Sequence, residues 1–158
     1  MHKFDANILL DCYRRGVFPM AESRNDNSIF LVDPDKRGII PLDGLHISRS
    51  MRKQLRRGEY RISYDGCYDR VVAECARETL DRPDTWINGG IAFLYSQLHK
   101  MGHAHSVEVW KGEELVGGLY GVSIGGAFFG ESMFSRATNA SKVALVYLVG
   151  RLNRQGYK

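Results

Sequence analysis

The stretch HAHSVEVWKGEELVGGLYGVSIGGAFFGESMF, residues 103–134, decides the fold of this 158-residue chain. Its β-branched and aromatic residues fall into three runs, 103–110, 115–124 and 127–134, separated by Lys111-Gly112-Glu113 and by Gly125-Gly126. Short glycine-containing turns between such runs are typical of β-hairpins. The stretch therefore predicts an antiparallel meander of three strands.

Helical patterns surround this meander. Asp5, Ser48 and Asp65 are predicted N-caps of three helices, apolar residues recur at helical spacing over 91–98, and a last helix begins at Thr138 or Asn139. Helical spacing places Tyr13, Tyr95 and Tyr147 on the inner faces of their helices. Residues 29–32 and 60–64 predict short strands, and residues 39–42 an edge strand or an extended linker. We expect an α/β (α+β) fold, with a small N-terminal domain over 1–42 and a larger domain over 43–158.

The composition, with 44% hydrophobic and 25% charged residues, is that of an ordinary globular chain. No apolar run approaches the roughly 20 residues of a membrane span, and residues 1–5 carry no apolar signal segment. The odd number of cysteines, three, without a CxxC motif, suits a reducing compartment. We expect a cytoplasmic monomer with no membrane partner.

Glu131 is the most informative single residue, because it stands inside the apolar and aromatic run 127–134, which we interpret as a buried strand. Burying a carboxylate costs several kcal/mol unless a cation or hydrogen-bond donors meet it. We therefore expect Glu131 to receive a ligand that carries a positive charge.

A row of basic residues follows Ser48 with the spacing i, i+3, i+4, i+7, i+8, which places them on one helical face. A face with charges of one sign favours a polyanionic partner, although a solvated surface gives the same pattern. We call these residues the basic stripe: Arg49, Arg52, Lys53, Arg56 and Arg57.

Several other motifs are ambiguous. Trp86, in a polar loop, can stack on a nucleobase or pack as a lid over the core. Leu119, Phe128, Met133, Leu145 and Leu148 fit a core as well as a pocket. His103 and His105 lack an evident third metal ligand, so we expect no metal. No serine-nucleophile or phosphate-loop motif is present in the sequence.

Six collinear blocks resemble leucyl/phenylalanyl-tRNA–protein transferases. They are LHISRSM (45–51), TWI (85–87), GHAHSVEVW (102–110), LVGGLYGV (115–122), GESMFSR (130–136) and NASK (139–142). The resemblance implies transfer of leucine, phenylalanine or methionine from aminoacyl-tRNA to proteins that begin with Arg or Lys, which marks those proteins for degradation. It also implies an acetyltransferase-like larger domain and no metal or organic cofactor.

The resemblance implies roles for particular residues of this chain. The basic stripe would hold the tRNA acceptor stem, Trp86 would line the site of the terminal adenosine, and Glu131 would face the cationic peptide. The substrate-binding residues would be Trp86, Leu119, Phe128, Gly130, Met133, Leu145 and Leu148.

The family also has a strand after the last helix, with an aspartate and a glutamine that handle the amine proton. Those residues would follow Lys158, so we expect a C-terminally incomplete enzyme whose final strand is missing and whose activity is impaired. The alternatives are a non-catalytic RNA-binding module and a CoA-dependent acetyltransferase. The turn over 135–142 has no glycine, which argues against CoA.

Overall fold

The fold is described from a computed structural model that covers residues 4–158. Residues 1–3 lie outside the described residues. The expectations about a signal segment and about the start of the N-terminal domain rest partly on them. The elements are α1 (Ala6–Arg14), β1 (Phe18–Met20), β2 (Phe30–Val32), α2 (Arg49–Arg57), β3 (Arg61–Tyr64), α3 (Tyr68–Ala76), α4 (Gly89–Lys100), β4 (Ala104–Lys111), β5 (Glu114–Ile124), β6 (Ala127–Ser135) and α5 (Ala140–Arg154).

Polar side chains begin three of the helices as N-caps. The Ile8 N–H donates to the Asp5 carboxylate at 3.0 Å, and the Met51 N–H donates to the Ser48 hydroxyl at 3.1 Å. Asn88 caps α4 in the same way. Each side-chain acceptor satisfies a backbone donor that the helix leaves free. The predicted starts of the first helix and of the basic helix are confirmed.

The predicted meander is confirmed, and β3 extends it to a four-stranded antiparallel sheet with the order β3-β4-β5-β6. A bulge interrupts the pairing of β5 with β6. Tyr120 pairs with Ser132 and Gly121 pairs with Gly130, so Glu131 is the extra residue. Bulges re-aim side chains next to functional sites, and here the re-aimed side chain is Glu131. β1 and β2 form a separate two-stranded antiparallel sheet.

Helices cover both faces of the larger sheet, and each face has its own core. The α4-side core joins α1, α3 and α4 to one face and contains Leu9, Tyr13, Tyr95 and Tyr120. The α5-side core joins α2 and α5 to the other face and contains Leu119 among its buried residues. Neighbouring residues of β5 thus enter different cores, as expected of a strand covered on both sides.

The interpretation of 127–134 as a buried strand is wrong. In the part of the chain that the structure describes, β6 pairs on one side only, with β5, and Phe134 is its only buried residue. An outer strand keeps one edge in contact with solvent, so its apolar composition does not enforce burial. Residues 39–42 form no strand and are an extended linker.

Two further sequence expectations are wrong. Asp65 does not cap the helix after it, because its backbone has φ = 55° and its carboxylate accepts the Ser106 N–H at 2.9 Å. Glu108, fully buried in β4, accepts the N–H of Cys67 at the start of α3 instead, at 2.8 Å. Tyr147, expected on the inner face of α5, is exposed.

Candidate functional site

Glu131 is half-buried at the bulge of β6, and two tyrosines from other elements hold its carboxylate. The Tyr13 hydroxyl of α1 donates to Oε1 at 2.6 Å, and the Tyr95 hydroxyl of α4 donates to Oε2 at 3.3 Å. The two hydroxyls lie 2.5 Å apart. Because Tyr13 and Tyr95 are themselves fully buried, the position of the carboxylate is fixed from one side.

The electrostatic setting of Glu131 favours a cationic ligand. Burial raises the pKa of the Glu131 carboxyl, and the hydrogen bonds from Tyr13 and Tyr95, together with the charge of Arg37, offset this only in part. Among the described residues, Glu131 forms no ion pair with a Lys, Arg or His side chain. A carboxylate without a counterion can bind an ammonium or guanidinium group that approaches from outside.

Arg37, in the turn after β2, is the residue whose positive charge lowers the pKa of Glu131. Its guanidinium carbon lies 4.9 Å from the ring centroid of Phe18 in β1 and 5.4 Å from that of Phe129 in β6. The Tyr13 ring meets the Phe129 ring edge-on, with 5.4 Å between centroids. Aromatic faces thus line the space beside the carboxylate, a combination that attracts cations.

The apolar residues predicted to bind substrate are brought together only in part. Leu119 and Leu148 are buried in the α5-side core, and Phe128 and Leu145 pack against it. Met133 is 44% exposed, and Gly130 is also exposed. The structure therefore brings four of these residues together on the α5 side, whereas the other two lie on the surface of β6.

A cavity of about 350 Å³ lies beside these residues on the α5 side. Phe128, Leu148 and Leu152 line its apolar part, and His105 and Asp65 stand among its polar residues. His105 Nδ1 is 2.8 Å from Asp65 Oδ2, and this contact raises the pKa of His105. The cavity can accept an apolar group whose other end is polar.

Glu131 and this cavity lie on opposite faces of the sheet. Tyr13 and Tyr95 belong to the α4-side core, whereas Leu148 belongs to the α5-side core. The two faces come together along β6, where the neighbouring rings of Phe128 and Phe129 pack against different cores. A substrate that used both would have to cross this outer strand.

The basic stripe is exposed along its whole length. All five of its residues are solvent-exposed, whereas Met51 of the same helix is buried and Leu55 packs against the α5-side core. In the described ranges no acidic side chain forms an ion pair with the stripe. The stripe thus presents uncompensated positive charge to solvent, a feature typical of phosphate-binding surfaces.

Trp86 is half-buried and packs against the α4-side core, and its carbonyl accepts the Ala21 N–H at 3.2 Å. It therefore shares a face of the sheet with Glu131 and lies apart from the α5-side cavity. Among residues 4–158, no three His, Cys, Asp or Glu side chains are grouped to hold a metal ion. Nor does this range contain a helix long and apolar enough to span a membrane.

Sequence reasoning missed Tyr13, Tyr95 and Arg37. The two tyrosines were assigned to helical core faces, which is where they lie, but a buried tyrosine hydroxyl needs a polar partner. That rule could have linked them to the one acid in the apolar strand. Arg37 sits in a polar turn, and nothing in its local sequence indicates the aromatic rings that it contacts.

Two family models match this chain. The family model described as leucyl/phenylalanyl-tRNA protein transferase matches residues 39–158, and the model of its N-terminal domain matches residues 2–35. These two matches account for almost the whole chain.

Curated relatives carry the same description. A leucyl/phenylalanyl-tRNA–protein transferase of Hyphomonas neptunium is 59% identical over 98% of this chain and 60% of its own length. The transferase of Maricaulis maris is 59% identical over 99% of this chain and 73% of its own length. The transferase of a Ruegeria species is 60% identical over 96% of this chain and 70% of its own length. The chain thus spans about 60–73% of the length of these relatives. It belongs to the leucyl/phenylalanyl-tRNA–protein transferase family.

Proposed function

We propose that this protein transfers leucine, phenylalanine or methionine from an aminoacyl-tRNA to the α-amine of proteins that begin with Arg or Lys. The enzyme would act as a monomer in the cytoplasm. The transfer would mark the acceptor protein for degradation. The single observation that carries the proposal is the Glu131 carboxylate, which two tyrosine hydroxyls orient and which forms no ion pair within residues 4–158. Such a group binds an incoming cation.

The acceptor end of the reaction is assigned to the face that carries Glu131. The acceptor's amino-terminal residue is cationic through its α-amine and through its Arg or Lys side chain. A desolvated carboxylate binds either charge more strongly than a solvated one would, since solvent screens it less. This supports selection of acceptors whose first residue is basic.

The aminoacyl end is assigned to the apolar residues next to the cavity. Leu119, Phe128, Leu145 and Leu148 form an apolar wall that would accept leucine, phenylalanine or methionine by size. Such a wall discriminates by only about 1–3 kcal/mol per methylene group, which is consistent with several accepted side chains. Met133 and Gly130, on the surface of β6, would contact the same aminoacyl group where it enters.

The nucleic-acid end is assigned to the basic stripe and Trp86. The stripe would contact phosphates of the acceptor stem, because its five cations are exposed and free of acidic partners within the described chain. Trp86 would stack on the terminal adenosine, a contact worth about 1–3 kcal/mol by alanine substitution. Sequence-independent phosphate contacts suit an enzyme that accepts more than one tRNA.

The proposed reaction depends on positioning the acceptor amine next to the aminoacyl ester and does not require a nucleophilic side chain. The acceptor amine attacks the carbonyl carbon of the aminoacyl ester, a C–N bond forms, and the C–O bond to the ribose breaks. The amine loses one proton and the departing ribose oxygen gains one. Because the ester is already activated, holding the two substrates in contact supplies much of the rate.

The test is transfer of labelled leucine from leucyl-tRNA to a peptide that begins with Arg, with an Ala-initiated peptide as the control. The proposal expects labelling of the Arg peptide alone, strongly reduced by Glu131→Gln and by charge reversal of Arg52 and Lys53. Tight binding of leucyl-tRNA with no binding of the Arg peptide would instead favour the RNA-binding alternative. Equal labelling of both peptides would contradict the assigned role of Glu131.

A further inference from the structure

Two aromatic rings from distant parts of the chain converge on one guanidinium. Phe18 belongs to β1 and Phe129 to β6, yet Arg37 lies over both, 4.9 Å from the first ring centroid and 5.4 Å from the second. Arg37 is exposed, and within residues 4–158 its side chain makes no hydrogen bond or ion pair. The two rings therefore form a guanidinium-binding slot whose present occupant is weakly held.

This slot adjoins the carboxylate that we assign to the acceptor. Phe129 stands two residues before Glu131, and the Tyr13 ring packs edge-on against Phe129 while its hydroxyl donates to Glu131 at 2.6 Å. The charge of Arg37 lowers the pKa of Glu131, so the guanidinium is within electrostatic reach of the carboxylate, although the two make no direct ion pair. Aromatic faces with a carboxylate beside them select a cation over a phosphate-bearing group.

We propose that Phe18 and Phe129 form the slot for the cationic side chain of the acceptor's first residue, and that Arg37 fills this slot until the acceptor displaces it. The inference rests on the proposed function, because it specifies how that function recognises its acceptor. Arg37 then lowers the affinity for every acceptor, and only a side chain that binds both the rings and Glu131 displaces it well. Because a planar guanidinium stacks on aromatic faces better than an ammonium, the slot favours Arg over Lys.

The test compares two peptides that differ only at the first residue, arginine in one and citrulline in the other. Citrulline keeps the shape of arginine without the charge, so the ratio of the two affinities isolates recognition of the cation. Calorimetric dissociation constants are measured for the wild type, Arg37→Gln, Phe129→Leu and the control Arg61→Gln. Arg61 also lies over an aromatic ring, that of Trp110 at 5.0 Å, but belongs to β3.

The inference expects Arg37→Gln to tighten binding of the arginine peptide by about three- to tenfold, the size of one or two cation–π contacts. Binding of the citrulline peptide should not change. Phe129→Leu should weaken binding of the arginine peptide by a similar factor, and Arg61→Gln should leave the affinity for both peptides unchanged. Since Arg37 is exposed and makes no hydrogen bond or ion pair in the described chain, its replacement tests the slot without disturbing a core.

Two results would overturn the inference alone: weaker binding of the arginine peptide to Arg37→Gln, or an equal change for both peptides. Either would mean that Arg37 supports the site rather than occupying it. If the wild type binds arginine and citrulline peptides equally, the proposed acceptor recognition fails as well, which separates the two failures.

Discussion

The Tyr13 hydroxyl donates a 2.6 Å hydrogen bond to Glu131 Oε1, across 118 residues of sequence. This bond ties the first helix to the bulge of the outermost strand of the sheet. Because the Tyr13 side chain is almost fully buried, the helix sets where the carboxylate points. The orientation of the proposed acceptor site therefore depends on how the N-terminal helix packs.

Replacing Tyr13 with phenylalanine removes this hydrogen bond and keeps the ring. At neutral pH the half-buried Glu131 carboxylate would lose one of its two tyrosine donors, so its pKa should rise further. We expect the free energy of unfolding to fall by about 1–2 kcal/mol, the usual size for a hydrogen bond to a charged group. Urea unfolding monitored by circular dichroism measures this change.

Tyr68→Phe is the matched control. The Tyr68 hydroxyl is buried and has no hydrogen-bond partner among residues 4–158, so removing it breaks no bond described there. We expect no loss of stability, or a small gain. Equal losses in the two variants would contradict the view that the Tyr13 hydroxyl acts through Glu131.

Glu131→Gln should stabilise the protein at neutral pH. Burial raises the pKa of Glu131 in the folded state, so the folded chain holds this proton more tightly than the unfolded chain. The contribution of this proton to the free energy of unfolding is fully present below about pH 4, and it is lost as the pH rises through the raised pKa of Glu131. Glutamine stays uncharged, so the variant avoids that loss.

We expect the glutamine variant to be more stable at pH 7 by about 0.5–2 kcal/mol, the range of a typical stabilising substitution. The difference should vanish as the pH falls to about 4, where wild-type Glu131 is protonated too. Chemical unfolding across pH 4–8 checks both parts. If the glutamine variant is less stable at pH 7, the hydrogen bonds from Tyr13 and Tyr95 stabilise the Glu131 carboxylate by more than its desolvation costs.

Gly117→Ala should destabilise the protein because α5 begins directly above Gly117. A methyl group there would lie 2.5 Å from the Cβ of Ala140 and 3.0 Å from its carbonyl carbon. Overpacking of this kind costs about 1–3 kcal/mol. Thermal unfolding measures the loss, and Gly130→Ala is the control, since a Cβ at Gly130 meets no atom within 4 Å. A similar loss at both positions would point to sheet propensity rather than to packing against α5.

Neutralising two residues of the basic stripe tests its role in RNA binding. With Arg52 and Lys53 both changed to glutamine, the slope of log affinity against log salt for tRNA should become shallower by about 1.5, because two phosphate contacts are lost. Filter binding between low and moderate salt gives this slope. The control pair is Lys100→Gln and Lys111→Gln, which lies on other elements and should leave the slope unchanged.

Local signals in the sequence predicted most of the fold. Asp5 and Ser48 cap helices through contacts three residues away, and Gly125 and Gly126 turn the chain between strands, so a short window contains the cause of each feature. Asp65 failed as a predicted cap because Glu108, 41 residues from Cys67, took over that contact. The residues near Asp65 in the sequence give no sign that Glu108 competes with it for the Cys67 N–H.

The candidate site was predictable only where chemistry marked a residue by itself. Glu131 stood out as an acid in an apolar strand, and the basic stripe stood out by its spacing. The burial of residues 127–134 was overestimated, since composition does not tell an inner strand from the outer strand of a sheet. Tyr13, Arg37 and Phe129 come together with Glu131 through tertiary packing, which has no local signature.

The most direct test of the central claim is a ¹³C NMR titration of the Glu131 carboxyl with and without a saturating Arg-initiated peptide. If the cationic amino terminus meets this carboxylate, the peptide should lower the pKa of Glu131 by about one unit or more. An Ala-initiated peptide, which brings only its α-amine, should lower it less. An unchanged pKa with bound Arg peptide would contradict the assignment of Glu131 as the acceptor-recognition group.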